Sequence, residues 1–454
     1  MEKSGYVQNV MQMKLSIIGG GLAGCEAAWQ LSKISFVDHI ILYEMRPDKM
    51  PPANISGDLS ELVCSNSLHS ELLSTGSGLL KKEMELLDSL IIEAAHYSRV
   101  PAGHSLSVDR KIFSSFIEKK ISDNSKIKII RREIKSLAEI DFPAILATGP
   151  LFQGDLCDEI IRKSGFDSMN FFDAVSPMIS GESIDYSKVF WGNRYENDGN
   201  DYLNIPLTRQ QYDSFCNELI NAKRYPLKDF EDISYFEGCL PVEIIASRGP
   251  ETLRFGPLRP VGLTKNKDIV AVIQLRKEDN SNHAFNIVGF QTNLLYNEQK
   301  RVFRKLPGLE NAEFLRFGKM HRNSYFNSPA ILKKNLEFKE IPGLFLAGQL
   351  TGVEGYCESA AMGIMAAIFM ADKIAKKNSV FPSEKTMIGA LIKHISTKNK
   401  NFLPMNSNFG IIPPLDNPPK AKKERKIAYS KRALEEMKKY MEHRNNEYYS
   451  TNNK

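Results

Sequence analysis

Three things are scarce in this 454-residue chain: long apolar runs, patterned cysteine and charge of one sign. Its longest near-apolar stretch, Ser359–Ala371, is well short of the ~20 residues a bilayer-spanning helix needs, so no membrane protein is expected. The first ten residues are polar, and the apolar run Leu15–Ile18 leads straight into glycines, so no secretory signal is expected either. The six cysteines stand apart at 25, 64, 157, 216, 239 and 357, with no CxxC pair. That scatter argues against a disulfide framework and a zinc site; a reducing, cytoplasmic setting and metal-free chemistry are expected. The rest is ordinary globular composition, 42% hydrophobic and 25% charged, which excludes wholesale disorder.

The net charge of +6 is modest, but it is concentrated. Between Lys420 and Arg444 stand ten Lys/Arg and four Glu, a local +6 that accounts for the whole excess. Ile427, Leu434, Met437 and Met441 recur there at helical spacing, so the segment reads as an amphipathic basic helix. A solvated outer helix, a nucleic-acid contact and a membrane-surface helix all fit that pattern.

The clearest chemical signal lies near the start. Lys14–Ile18 reads as a short strand, Gly19-Gly20-Gly21-Leu22-Ala23-Gly24 as a glycine loop, and Cys25–Ser32 as a helix. A second strand, His39–Leu42, ends in Tyr43-Glu44, with Glu44 twenty residues beyond Gly24. Glycine allows the tight turn and close approach of a pyrophosphate, the helix start supplies N–H donors, and an acidic strand end can accept from a ribose. A dinucleotide site is therefore expected at Gly19–Gly24 and Glu44. Two later segments, Ala144–Pro150 and Gly343–Gln349 continuing through Gly352, Glu354 and Gly355, resemble the returning segments of two-domain flavoproteins. That likeness implies FAD, with Gly348, Gln349 and Glu354 near it. The expected fold is α/β: a Rossmann-like FAD-binding domain with an inserted α+β substrate domain. Its expected parts are a frayed 1–13, a discontinuous FAD-binding domain from 14–154 and 317–415, a substrate and folate domain at 155–316, and a basic helix and tail at 416–454.

Four longer motifs are more specific: Glu61–Leu68, Phe236–Glu243 with Arg254–Leu263, Gly348–Tyr356, and Pro404–Gly410. Together, from about Lys14 to Leu434, they resemble the folate- and FAD-dependent tRNA uracil-5-methyltransferases. The resemblance implies that methylenetetrahydrofolate donates carbon, that FAD carries and reduces it, and that NADPH or NADH restores the flavin. It further implies that the T-loop uridine at position 54 of tRNA is the acceptor. Carbon 5 of uracil becomes nucleophilic only after addition at carbon 6, a task suited to a thiolate, and a second group must then remove the carbon 5 proton. By motif position Cys239 matches the nucleophile, and Cys64 a second cysteine acting as base or guard. Two neighbouring readings remain, the same chemistry on a ribosomal-RNA uridine and a flavin thiol oxidoreductase.

Weaker candidates have bland alternatives. Cys25, Cys157, Cys216 and Cys357 read as small core residues. Arg254 and Arg259 fit a folate tail, a phosphate or an inner salt bridge. Gln349 and Glu354 fit flavin contacts or a helix cap, and Asp109-Arg110 a segment shaping the flavin pocket. Trp191, Tyr195, Tyr202, Phe215 and Tyr235 fit stacking platforms or core. His104 and Cys357 depart from the residues usual in the resembling family.

Overall fold

Lys14–Ile18 is buried from Leu15 onward because it is covered on both faces: it is the middle strand of a five-stranded parallel sheet. In the computed structural model, which describes residues 14–166, 169–195, 199–226 and 240–449, the order is Leu344–Leu346, Ala144–Leu146, Lys14–Ile18, His39–Glu44, Ile127–Arg131. All four pairings are parallel. The chain builds outward from Lys14–Ile18 through the next two strands, then crosses back to its other side with Ala144–Leu146. This reversal is the switch point at which open α/β sheets bind ligands, outside the carboxyl ends of the strands.

Both ends of the chain contribute to this body. Leu344–Leu346 completes the sheet, and helix Tyr356–Ile374 packs against the first helix, Leu22–Ser32, in one apolar core. Gly363 permits their close approach, since a Cβ there would lie 2.3 Å from the Ala23 carbonyl oxygen. The apolar stretch 359–371 is thus a core helix. No described helix is long and apolar enough to cross a membrane.

A second sheet has its own core. It is six-stranded and antiparallel, in the order Phe190–Trp191, Tyr202–Thr208, Ile269–Lys277, Ala284–Ile287, Met178–Ser180, Phe314–Arg316. An antiparallel ribbon, Met169–Val175 against Lys319–Tyr325, carries the chain out and back. The sequence reading starts the inserted part at 155. Helix Asp155–Ser164, however, buries Leu156, Cys157 and Ile160 with Leu146 and Leu346 of the first sheet. The second sheet itself begins at Met178. An amphipathic helix shows that it covers a sheet, not which one.

The C-terminal helix, Lys422–Tyr449, buries Ser430, Ala433, Met437 and Tyr440, while Ile427, Leu434 and Met441 are only half-buried. Its seam is rotated from the expected one because small residues, Ser430 and Ala433, let it lie close on the Gly76–Leu86 helix. There the Ser430 hydroxyl donates to the Leu73 carbonyl.

Candidate functional site

The glycine loop turns at the switch point, and each glycine has its own reason. Gly19 has φ +107°, and a Cβ there would sit 2.4 Å from the Ala147 carbonyl oxygen. A Cβ at Gly24 would be 1.8 Å from the Gly19 carbonyl oxygen, so the helix can pass the loop only without one. Gly21 differs: it caps the Leu22–Ser32 helix with no side-chain hydrogen bond, and a Cβ there would meet nothing within 4 Å. Leu22 and Ala23 open the helix, whose first-turn N–H groups lack intrahelical acceptors. Beside the loop, the buried Thr148 hydroxyl has no hydrogen-bond partner among the described residues. Gly348, at φ +76°, brings the distant C-terminal turn against Ala23. Open space over uncapped donors and an unsatisfied hydroxyl fit a bound pyrophosphate.

Glu44 ends the second strand under this loop, buried. Its carboxylate accepts from the Gly20 N–H at 2.9 Å, from the Arg46 N–H and Nε at 2.9 Å each, and from a second guanidinium nitrogen at 3.0 Å. Burial pushes the Glu44 carboxyl up, but Arg46's hydrogen bonds and charge outweigh it and hold it below its usual range. Arg46 also pairs with Glu61 at 3.1 Å. Glu44 is the residue expected from the sequence to accept from a ribose, whereas no motif marks its fixed partner Arg46, two residues on.

Cys64 lies where the two bodies meet. The N–H groups of Cys64 and Ser65 donate to the Tyr356 hydroxyl at 2.7 and 3.1 Å, tying them to the start of the last flavin-type helix. Arg110 donates to the carbonyls of Leu62 and Cys64 and pairs with Glu278 at 2.7 Å. From the second sheet, Arg276 donates to Asn66 at 2.8 Å and to Ser65 at 2.7 Å, while Asn66 donates to Val108 and Lys277 carbonyls. The Cys64 Sγ is 4.0 Å from the Ala174 carbonyl oxygen in the connecting ribbon. Burial first, then the Asp173 and Glu354 carboxylates, raise its thiol far above the ordinary range against the pull of Arg110 and Arg316. Burial and the two carboxylates thus favour the neutral form of the Cys64 thiol.

Glu354 is buried and its carboxyl is pushed up by burial and by Asp173. The Gln349 amide donates to it, so these two residues hold each other, while Gly355 occupies the cap position of helix Tyr356–Ile374. Cys239 lies outside the described residues, as do Tyr235 and Phe236–Gly238. The end of that motif is anchored: Val242 N–H donates to Gln291 at 2.7 Å, and buried Glu243 accepts from Thr292 and the Asn293 N–H.

Among the other candidates, four cysteines and Phe215 are core, whereas Arg259 and Tyr195 are exposed. Cys25, Cys157, Cys216 and Cys357 are buried, and burial pushes the Cys25 thiol up to about 12. Arg254 donates to the Val270 carbonyl and pairs with Glu251, whereas Arg259 is exposed. Phe215 is core; Tyr202 donates to the Ala102 carbonyl at 3.1 Å; Trp191 carries the Lys277 ammonium 4.6 Å above its ring; Tyr195 stands exposed at φ +66°. Among the described residues, no group of three or more His, Cys, Asp or Glu is placed to hold a metal ion.

Known proteins resemble the chain closely. The family described as GIDA, glucose inhibited division protein A, matches residues 14–378. Curated relatives bear the name methylenetetrahydrofolate–tRNA-(uracil-5-)-methyltransferase TrmFO. That of Aquifex aeolicus (strain VF5) is 49% identical over 440 residues, covering 96% of this chain and 98% of that protein. That of Syntrophus aciditrophicus (strain SB) is 49% identical over 428 residues, covering 93% and 96%. Among solved structures, Aquifex aeolicus GidA in its form II crystal gives a TM-score of 0.67 at 16% identity, covering 95% of this chain and 74% of that one, a likeness of fold.

Proposed function

The chain belongs to the methylenetetrahydrofolate–tRNA-(uracil-5-)-methyltransferase family, and from that premise we propose that it methylates carbon 5 of the T-loop uridine, position 54, in tRNA. Methylenetetrahydrofolate is the carbon donor and NADPH or NADH the reductant. The observation that carries the reading is the position of Cys64, pinned between the nucleotide-binding body and the inserted sheet, with its N–H on Tyr356 and its carbonyl on Arg110.

FAD, when bound, supplies hydride chemistry able to bring a one-carbon unit to the methyl level. Gly19–Gly24 with Leu22 and Ala23 would hold its pyrophosphate, Glu44 its ribose, and Gly348, Gln349 and Glu354 the side facing the last helix. The Cys239 thiolate adds to carbon 6 of the uracil ring, which makes carbon 5 nucleophilic toward the one-carbon unit from methylenetetrahydrofolate; once that carbon–carbon bond has formed, a base takes the carbon 5 proton and the carbon 6–sulfur bond breaks to release the thiolate. As a neutral thiol Cys64 cannot accept that proton, and in that form it fits the guard role. Thiolate formation is required before it acts as base, and that is favoured only if Arg110 and Arg316 outweigh burial and the Asp173 and Glu354 carboxylates together. The proposed enzyme combines a discontinuous FAD-binding domain with an inserted domain whose sequence carries Cys239.

The test is methyl transfer to unmodified tRNA transcript and to unmodified ribosomal RNA, with FAD, NADPH and methylenetetrahydrofolate, for the wild type and Cys239→Ala. Modification at the T-loop uridine, absent from the variant, is expected. Modification of ribosomal RNA alone would move the target. No transfer from an FAD-loaded protein would leave a thiol oxidoreductase as the better account.

A further inference from the structure

The basic C-terminal segment plays no part in the site just described, and its charge is unevenly placed. From Lys420 to Lys431 there are six basic residues and a single acid, Glu424, whereas from Arg432 to Arg444 four basic residues face three glutamates. Lys420, Lys422, Lys423, Arg425 and Lys431 are exposed. Among the described residues none of the four lysines 420, 422, 423 and 431 is paired with a carboxylate, and Lys426 is likewise without one. Arg425 instead donates to the Pro419 and Lys420 carbonyls at 3.1 and 3.0 Å, which fixes the turn that enters the helix.

Helix energetics do not explain this arrangement. Cations at a helix amino terminus oppose its dipole, and Lys422 and Lys426 repel one another at i,i+4. The cluster therefore costs the helix stability, a cost that an external polyanion would offset. An anionic membrane is a poor candidate because interfacial helices need a free apolar face. Here that face, Ala433, Met437 and Tyr440, is already buried in the protein.

Contacts connect the cluster to the site. Tyr429 stacks on Phe409 at 5.6 Å, and Arg432 lies 5.3 Å over the Tyr429 ring while donating to the Pro413 and Pro414 carbonyls. That segment begins at Ser407, whose N–H donates to Glu358 at 2.9 Å. Glu358 is two residues from Tyr356, which holds Cys64. The basic helix is thus braced on the same short loop that braces the start of the flavin-type helix.

We propose that Lys420–Lys431 is the surface that grips the phosphate backbone of the RNA substrate while its target uridine reaches Cys64. This rests on the RNA methyltransferase reading above. The residues from Lys422 to Lys431 span about 14 Å of helix axis, enough for several phosphate contacts. Such contacts position RNA and give affinity without reading bases.

The experiment uses full-length, FAD-loaded protein and compares wild type with Lys422→Gln/Lys423→Gln/Lys426→Gln. Binding of unmodified tRNA transcript is measured across a salt series, alongside methyl-transfer kinetics, NADPH-driven flavin reduction without RNA, and thermal melting. The proposal expects weaker RNA binding and a log-affinity against log-salt slope reduced by about two to three. It also expects a raised RNA KM with little change in kcat, unchanged flavin reduction, and a melting point equal or slightly higher. Unchanged RNA affinity and slope would overturn it. So would loss of binding accompanied by a lowered melting point, which would make the lysines structural. Loss of binding to phosphatidylserine vesicles with RNA affinity intact would transfer the surface to membranes. Failure of the wild type to bind or methylate any RNA would instead sink the methyltransferase reading.

Discussion

Two alanine substitutions three residues apart should fail in opposite ways. At Gly24 the added Cβ would stand 1.8 Å from the Gly19 carbonyl oxygen. Alanine gains up to ~1 kcal/mol of helix propensity, but forcing the helix off the strand–loop turn costs more than the ~1–3 kcal/mol typical of overpacking. A net destabilisation of at least ~2 kcal/mol is expected, with or without cofactor. At Gly21 the backbone is extended, φ −80° and ψ −171°, and the Cβ meets nothing. Gly21→Ala should therefore leave the apo-protein as stable as wild type, or more stable by ~0.4–1 kcal/mol through a less flexible unfolded chain. Its cost should appear only with ligand. If the methyl displaces even one charge-assisted hydrogen bond to the pyrophosphate, ~1.5–3 kcal/mol of FAD affinity is lost. That is roughly 10- to 150-fold in Kd. The assay is urea denaturation of both apo-variants together with FAD titration by flavin fluorescence. An apo-protein destabilised by Gly21→Ala as much as by Gly24→Ala, or undiminished FAD affinity at Gly21→Ala, would refute the assignment of that space to the cofactor.

Two further substitutions probe the rest of the site, and a third probes His321 on the connecting ribbon strand Lys319–Tyr325. Arg46→Met leaves Glu44 and Glu61 buried beside no guanidinium and should cost ~3–5 kcal/mol in urea denaturation, with FAD retention falling in parallel. Tyr356→Phe removes the acceptor of the Cys64 and Ser65 N–H groups; it should cost ~1–3 kcal/mol and lower methyl transfer while FAD stays bound, and unchanged turnover would count against it. His321 is pushed down from 6.5 to about 4, by burial and then by Lys319 and Arg316. The unfolded chain therefore takes up a proton near 6.5 that the folded one refuses until about 4, so this contribution is complete above 6.5 and is lost as the pH falls through that window. His321→Gln should narrow the stability difference between pH 7.5 and 4.5; an identical difference in both proteins would contradict the assignment.

Much of the nucleotide-binding half was legible because its constraints are local. A strand, four glycines, a helix and an acidic strand end lie within the 31 residues from Lys14 to Glu44, each with a steric or electrostatic reason visible in the residue type. The return of the C-terminal strand and turn to Ala23 was legible only through resemblance, since nothing local in Gly343–Gln349 specifies which sheet it joins. Long-range polar partners stayed hidden. Arg46 looks like an ordinary surface arginine until the fold buries it between Glu44 and Glu61. Tyr356, 292 residues from Cys64, gives no sign in the chain that its hydroxyl will hold that cysteine's backbone. The rotated seam of the C-terminal helix has the same origin, because small residues that permit close packing score poorly as apolar ones.

The account stands on one claim, that a folate carbon reaches carbon 5 of an RNA uridine through this flavoprotein frame. The direct measurement is transfer of label from methylenetetrahydrofolate carrying a labelled methylene group into nuclease-digested tRNA, with FAD-loaded and FAD-stripped protein and with labelled S-adenosylmethionine as the competing donor. The account predicts labelled 5-methyluridine from the folate alone, dependent on FAD and on NADPH or NADH. Label arriving from S-adenosylmethionine, or folate transfer that proceeds equally without FAD, would contradict it.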